Sequence, residues 1–343
     1  MKIGIIGHFG GKKTFNDGQT IKTKTLYEAL IRKNFDVLKV DTYYIKHNPI
    51  IFLWKFFISL FSTKKYIILL SSNGRRVMFP IMYVCIKIFK KEIYHYAIGG
   101  RLARELNEYP KWKKYVSSFN GNWMESRKLV GLVNDEGILN AKYIPNFKSL
   151  IPLNSSELGF TKAEEFTFCI FSRVMKEKGV EDAIQACAEI NKKYRTVICK
   201  LDIYGQVEDN FASQFHDLIN ENQFCRYCGV VNPNESVKYL KDYYMLLFPT
   251  HWKHEGMPGT IIDALAAGLP IIARRWQYCD EMIDDGITGL VYEFENPELL
   301  VTKLDYAINN QEHVFSMRKN CIEKSQEYCE KYAIEGIIQE LGL

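Results

Sequence analysis

Thr167-Phe-Cys-Ile-Phe-Ser-Arg-Val-Met-Lys-Glu-Lys-Gly-Val180 is an apolar run that stops at a serine and an arginine, crosses a charged turn and opens a helical pattern. Five residues, 167–171, read as a buried strand, and 180–190 as the helix that follows it. A strand, a tight turn at a glycine and a helix form the repeating unit of a doubly wound α/β sheet. In such sheets ligands bind beyond the carboxyl ends of the strands. Arg173 and Lys178 stand at that place. Two cations beside a helix N-terminus, whose first N–H groups lack partners, make an anion clamp.

The alternation extends both ways. Upstream, residues 2–6, 36–40, 66–70, 92–96 and 142–144 read as strands, and 19–32 as a helix. A polar stretch, 154–165, reads as a linker. Downstream, 196–204, 244–248 and 270–273 read as strands, and 211–220, 258–267, 297–309 and 312–332 as helices. At 343 residues the chain has room for two domains, each able to bury its own core. The expectation is two Rossmann-like doubly wound domains with their strand ends facing a shared cleft. Residues 1–150 form the first and 151–324 the second, with the last helix, about 325–343, packing back on the first.

A second passage has the same grammar. In Leu246-Leu-Phe-Pro-Thr-His-Trp-Lys-His-Glu-Gly-Met-Pro-Gly-Thr-Ile-Ile-Asp263 a strand enters a loop holding Gly256 and Gly259, and a helix follows. Glycines let backbone amides approach a ligand, and Pro258 suits a first helical turn. Glu255 on the loop and Asp263 in the helix would repel a phosphate, so both suit neutral hydroxyls such as those of a sugar.

Charge divides the chain unevenly. Residues 1–150 hold 26 Lys and Arg against 10 Asp and Glu, whereas the remainder holds 19 against 30. A basic first half can face phosphates or anionic lipid. Two apolar runs lie in it, 49–61 and 77–89, both too short to span a bilayer. They read as core helices, with one face available to lipid as the sharper alternative. The apolar start, 3–6, is too short for a signal peptide. The nine cysteines are scattered, mostly in apolar runs, which suits reduced thiols in the cytoplasm rather than disulfides. Cys225 and Cys228 form a C-x-x-C pair with no second pair at zinc-site spacing, and no metal site is expected.

The second half resembles the large retaining family of GT-B glycosyltransferases, family four. Ser172, Arg173, Lys178 and Gly179 match its S/G-R-x4-K-G segment. Glu255, Gly256, Pro258 and Ala264 match its Glu-seven-residues-Glu signature, with Asp263 in place of the second Glu. The runs 266–273 and 285–290 and Glu281 also match. The first half fits through Gly7–Gly11, residues 18–23 and 144–147, and the stretch GHFGG…GQTIKT is similar to bacterial surface-polysaccharide enzymes. The resemblance implies transfer of a sugar, with retention and no metal, from a nucleoside-diphosphate donor. Arg173 and Lys178 would neutralise the diphosphate, Glu255 would contact the sugar, and Asp263 would hold the ribose. It extends the donor site to Gly10, Gly11, Gly205, Val230, Gly256, Met257, Pro258, Gly259 and Thr260. His95 is the candidate for a first-domain histidine beside the anomeric carbon, with His8 the second by position. The implied acceptor is a lipid-linked saccharide at the inner face of the cell membrane, in capsule, exopolysaccharide or O-antigen assembly.

Other readings compete. Gly4, Gly7 and Gly10 with Asp41 permit an NAD(P)-dependent oxidoreductase, although G-x-x-G-x-x-G is not the dinucleotide fingerprint. A non-catalytic nucleotide-sugar-binding protein and a sugar-nucleotide epimerase share the architecture. No nucleic-acid module is recognisable, and His251 and His254 lack further ligands for zinc.

Overall fold

The apolar run at the start of the chain becomes β1 (Lys2–Gly7), with Ile3, Ile5 and Ile6 fully buried. It is a central strand, covered on both faces, which is why it reads as continuous rather than alternating. A computed structural model describes residues 2–13 and 17–343. It divides the chain into two compact units, one comprising the residues up to Ser149 with Cys329–Leu343, the other Leu150–Tyr328.

The first unit is a parallel six-stranded sheet in the order β2-β1-β3-β4-β5-β6. Its further strands are β2 (Asp36–Asp41), β3 (Lys65–Leu69), β4 (Glu92–Tyr96), β5 (Gly121–Met124) and β6 (Ala141–Tyr143). The Gly18–Arg32 helix follows β1, capped by Asp17, whose carboxylate accepts from the Thr20 N–H. Its inner face, Leu26, Ala29 and Leu30, packs with Ile3 and Ile5. Ala333, Ile334, Ile337 and Leu341 from the Glu330–Glu340 helix join the same core.

The expected helix over 312–332 is therefore two. One, Gln311–Ser325, belongs to the second unit. A tight turn, Gln326–Tyr328, and a bridge of Cys329 to Lys148 then return the chain to the first unit.

The second unit is also a parallel six-stranded sheet, in the order β12-β11-β10-β7-β8-β9. Its strands are β7 (Phe166–Phe171), β8 (Cys199–Tyr204), β9 (Cys225–Gly229), β10 (Leu246–Phe248), β11 (Ile271–Arg274) and β12 (Gly289–Tyr292). Strand order reverses between β7 and β10, so the loops leaving these neighbours diverge and open a crevice.

Of the two apolar runs of the first half, the one in the Ser72–Phe89 helix buries Met78, Phe79, Met82 and Cys85 as a core helix would, and the other departs from the core reading. The Pro49–Ser62 helix buries Phe52, Ser59 and Leu60 and leaves its opposite face in solvent. Among the described residues no helix is long and apolar enough to cross a membrane.

Candidate functional site

The passage after β7 is held by the loop after β8. The Ser172 N–H donates to the Tyr204 carbonyl at 3.1 Å, the Val174 N–H to Gln206 at 2.9 Å, and the Glu208 N–H back to Val174 at 3.0 Å. Gly205 makes this clasp possible: its φ is +138°, and a Cβ there would stand 1.8 Å from the Ser172 carbonyl oxygen. Gly205 therefore serves backbone packing. The clasp sets Glu208 against Arg173, whose Nη1 donates to Oε1 at 2.7 Å. An open depression of about 370 Å³ lies beside this pair, lined by Gln206–Asn210.

Lys178 ends a tight turn, and Gly179 follows at φ +72°, with space for a Cβ closed by the Pro249 carbonyl at 2.0 Å. The turn after β7 is thereby pressed onto the loop after β10, and the His251 N–H donates to the Glu177 carbonyl. Lys178 is almost buried and its Nζ donates to Glu255 at 2.5 Å. It also lies 4.9 Å from the centre of the Trp252 ring. The two diverging loops at the strand-order reversal are thus joined by one lysine–glutamate pair.

Beyond Glu255 the loop is anchored by Trp276, whose indole N–H donates to the Gly256 carbonyl at 3.0 Å. Pro258 is extended and caps the Gly259–Ala266 helix rather than lying in its first turn. The Thr260 hydroxyl donates to the Phe171 carbonyl, tying this helix to the end of β7. Met257 is buried at 4% exposure, so its side chain is packed inward. Val230 is 53% exposed just past β9, after Gly229 at φ +78°.

Asp263 departs from the expectation of an open hydroxyl acceptor. Its residue is 1% exposed, and its Oδ1 accepts from Ser236 Oγ at 2.7 Å. One methylene shorter than glutamate, the side chain stays beneath the surface.

His95 also departs from expectation. It lies within β4, not beyond it, and is fully buried with its ring 5.0 Å from Phe79 and 6.3 Å from Phe119. Neither ring nitrogen has a hydrogen-bond partner. Burial holds its pKa well below the usual imidazole value, so it is a neutral core residue. His8, by contrast, is partly exposed and its Nδ1 lies 2.7 Å from the Thr20 hydroxyl.

Gly10 and Gly11, at φ +87° and +60°, form the turn after β1. Asp41 at the end of β2 holds it: one carboxylate oxygen accepts from the Phe9 and Tyr43 N–H groups, the other from Gly11. In the oxidoreductase reading this carboxylate would take a ribose. Here it is engaged by backbone and 7% exposed.

His251 pairs with Asp182 and His254 with Gln277. Burial pushes the Cys225 thiol up to about 12, so it is not a ready metal ligand. Among the described residues no three His, Cys, Asp or Glu side chains cluster as metal ligands.

Glu208 was not singled out from sequence. Its signal was its place four residues past β8, where the strand-end rule points.

Residues 156–328 match the family model of glycosyl transferases group 1. An uncharacterized glycosyltransferase of Haemophilus influenzae is 26% identical over 261 residues, 72% of this chain and 66% of that protein. A capsular polysaccharide biosynthesis glycosyltransferase of Staphylococcus aureus is 23% identical over 148 residues, 43% of this chain and 38% of that one. The chain thus spans less than two thirds of the length of either relative. Among solved structures, Anabaena HepE in complex with UDP-glucose superposes with a TM-score of 0.74 over 100% of this chain and 99% of that one, at 14% identity, a likeness of fold. The fold is GT-B, with two Rossmann-like units, and the match covers the β7–β12 sheet with both diverging loops and more than half of the chain: it belongs to the group 1 glycosyl transferases.

Proposed function

We propose that this glycosyltransferase moves a hexosyl group from a nucleoside-diphosphate donor to a saccharide acceptor with retention. The observation that carries the reading is the pair of cations at the β7–β10 reversal, each now held by a carboxylate, Arg173 by Glu208 and Lys178 by Glu255. A diphosphate entering the crevice offers both cations a more highly charged partner. Val230 would meet the base, Glu255 the sugar, and the amides of Gly259 and Thr260 the phosphate oxygens. Asp263 would reach the ribose only through a shift of its contact with Ser236.

In the reaction the bond from the anomeric carbon to the diphosphate oxygen breaks. Negative charge grows on the leaving diphosphate while the sugar gains oxocarbenium character. Arg173 and Lys178 stabilise that state more than the bound donor, because the charge they meet is larger there. Two fixed cations fill the role a metal could take, so transfer is proposed to survive exhaustive chelation.

The acceptor is proposed to be a lipid-linked saccharide in surface-polysaccharide assembly, which would place the reaction at the inner face of the cell membrane. The capsule relative supports this choice. The experiment is a thermal-shift screen with UDP-, GDP- and dTDP-sugars, since a ligand that binds the folded state raises its melting temperature. No stabilisation by any of them would overturn the reading.

A further inference from the structure

The Pro49–Ser62 helix exposes one continuous apolar ridge. Ile50, Leu53, Trp54, Phe57 and Phe61 recur at helical spacing and are 78, 60, 63, 59 and 73% exposed. Single exposed apolar residues are ordinary, but five large ones on one helical face are not. The opposite face, Phe52, Ser59 and Leu60, is the one that meets the sheet. Asn48 caps the helix and Pro49 opens it, so the ridge is part of a defined element rather than a frayed loop.

The Ser72–Phe89 helix adds to the same surface. The connection from β2 crosses β1 to reach β3, and the next runs on in the same direction to β4. Right-handed crossovers put both helices on one face of the sheet. Their carboxyl-terminal ends are tied: Lys91 Nζ donates to the Thr63 carbonyl at 2.8 Å. Near those ends Phe61 on one helix and Ile88 and Phe89 on the other are all exposed, at 73%, 68% and 43%.

Charge says what covers this surface. Between Asp41 and Glu92 the sequence holds nine Lys and Arg and no Asp or Glu. Lys46, Lys55, Lys87 and Lys90 are exposed around the apolar ridge. A second copy of the chain would bring the same lysines against these and repel. An anionic bilayer offers acyl chains for the ridge and headgroup charge for its flanks, the combination that holds amphipathic helices in a membrane interface.

We propose that the ridge Ile50–Phe61, with the end of the Ser72–Phe89 helix, docks on the surface of a bilayer rich in anionic lipid. The aromatic side chains sit at the level of the headgroups, and the lysines reach the phosphates around them. Docking does not depend on the identity of donor or acceptor, and its test contains neither.

The test is flotation of the full chain with vesicles of phosphatidylcholine mixed with phosphatidylglycerol, against vesicles of phosphatidylcholine alone. The protein should float with the mixed vesicles at low salt and remain behind with the neutral ones. Replacing Leu53, Phe57 and Phe61 by serine should reduce the bound fraction by about tenfold or more, as should glutamate at Lys55, Lys87 and Lys90. All six are surface positions, and unchanged melting curves would establish that the variants fold. Failure of the wild-type chain to float, equal flotation with neutral vesicles, or wild-type flotation of either variant would overturn the proposal. So would sedimentation as a lipid-free dimer that the serine variant dissociates, since the ridge would then belong to a second copy.

Discussion

Lys178 extends from the turn after β7 to Glu255 in the loop after β10, and the two side chains, 9% and 14% exposed, meet at 2.5 Å. A pair so nearly buried costs most when one member is removed, because the other charge is left without its partner. Lys178→Ala should therefore lower stability by roughly 3 kcal/mol and slow transfer by about a hundredfold or more. The double variant Lys178→Met/Glu255→Gln should recover much of the stability and none of the rate. Urea melts and kcat/KM on the same four proteins separate the two effects. A double variant as active as the wild type would remove the pair from the reaction.

Arg173 and Glu208 differ in exposure, at 36% and 30%, so their attraction is weakened by solvent. If Arg173 binds the donor as proposed, Glu208 competes with an incoming diphosphate for the same guanidinium. Glu208→Gln should tighten UDP binding by up to about fivefold, the worth of a surface ion pair, with little change in melting temperature. Arg173→Ala should weaken transfer by about two orders of magnitude. Titration calorimetry with UDP reads the first, and looser binding in Glu208→Gln would show that Glu208 positions Arg173 rather than competing for it.

The hydrogen bond from Ser236 to Asp263 sits at the base of the donor helix, and both residues are buried. Ser236→Ala should cost roughly 1–2 kcal/mol, as a buried carboxylate loses a donor. Asp263→Ala should cost stability and also raise the donor KM. A KM unchanged in Asp263→Ala, with stability lowered, would make this aspartate a purely structural residue.

Both sheets were legible where strands are central, because β1 and β7 carry apolar runs that no surface element would and β8 alternates Cys199, Leu201 and Ile203 with Lys200 and Asp202. The strands β5, β9 and β12 were not. Gly121-Asn-Trp-Met124 and Cys225-Arg-Tyr-Cys-Gly229 have neither an apolar run nor clean alternation, and their pairing comes from neighbours already in place. The place of Arg173, Lys178 and Glu255 past the ends of β7 and β10 was legible because these residues follow apolar strand runs. Side-chain burial was not: Asp263 and His95 look from sequence like reachable polar groups, and only packing by Ser236 in one case and by Phe79 and Phe119 in the other makes them interior. The Pro49–Ser62 helix shows the converse, since an apolar composition on all sides does not say which face the sheet covers.

Gly205 tests the clasp between the loops after β7 and β8. A Cβ there would collide with the Ser172 carbonyl, and its φ of +138° is one that a side chain disfavours. Gly205→Ala should destabilise by more than about 2 kcal/mol and should displace Glu208 from Arg173. Gly131→Ala, where a Cβ meets nothing within 4 Å, is the control. Equal melting temperatures for the two variants would mean that the clasp relaxes freely.

His95 gives the chain a defined weakness to acid. Its folded pKa lies well below the ordinary value of 6.5, with burial the first cause and the charge of Arg75 the second. The unfolded chain therefore takes up a proton below about pH 6.5 while the folded chain does not, and stability falls as the pH drops through that point. Between pH 7.5 and 5.5 this group therefore lowers the stability of the folded chain. His95→Leu removes that effect. Urea unfolding of the two proteins at both pH values should show the variant losing less stability on acidification than the wild type. Its transfer rate at pH 7.5 should match the wild type, since a core histidine holds no substrate. A rate lowered by orders of magnitude, with stability intact, would return His95 to the reaction.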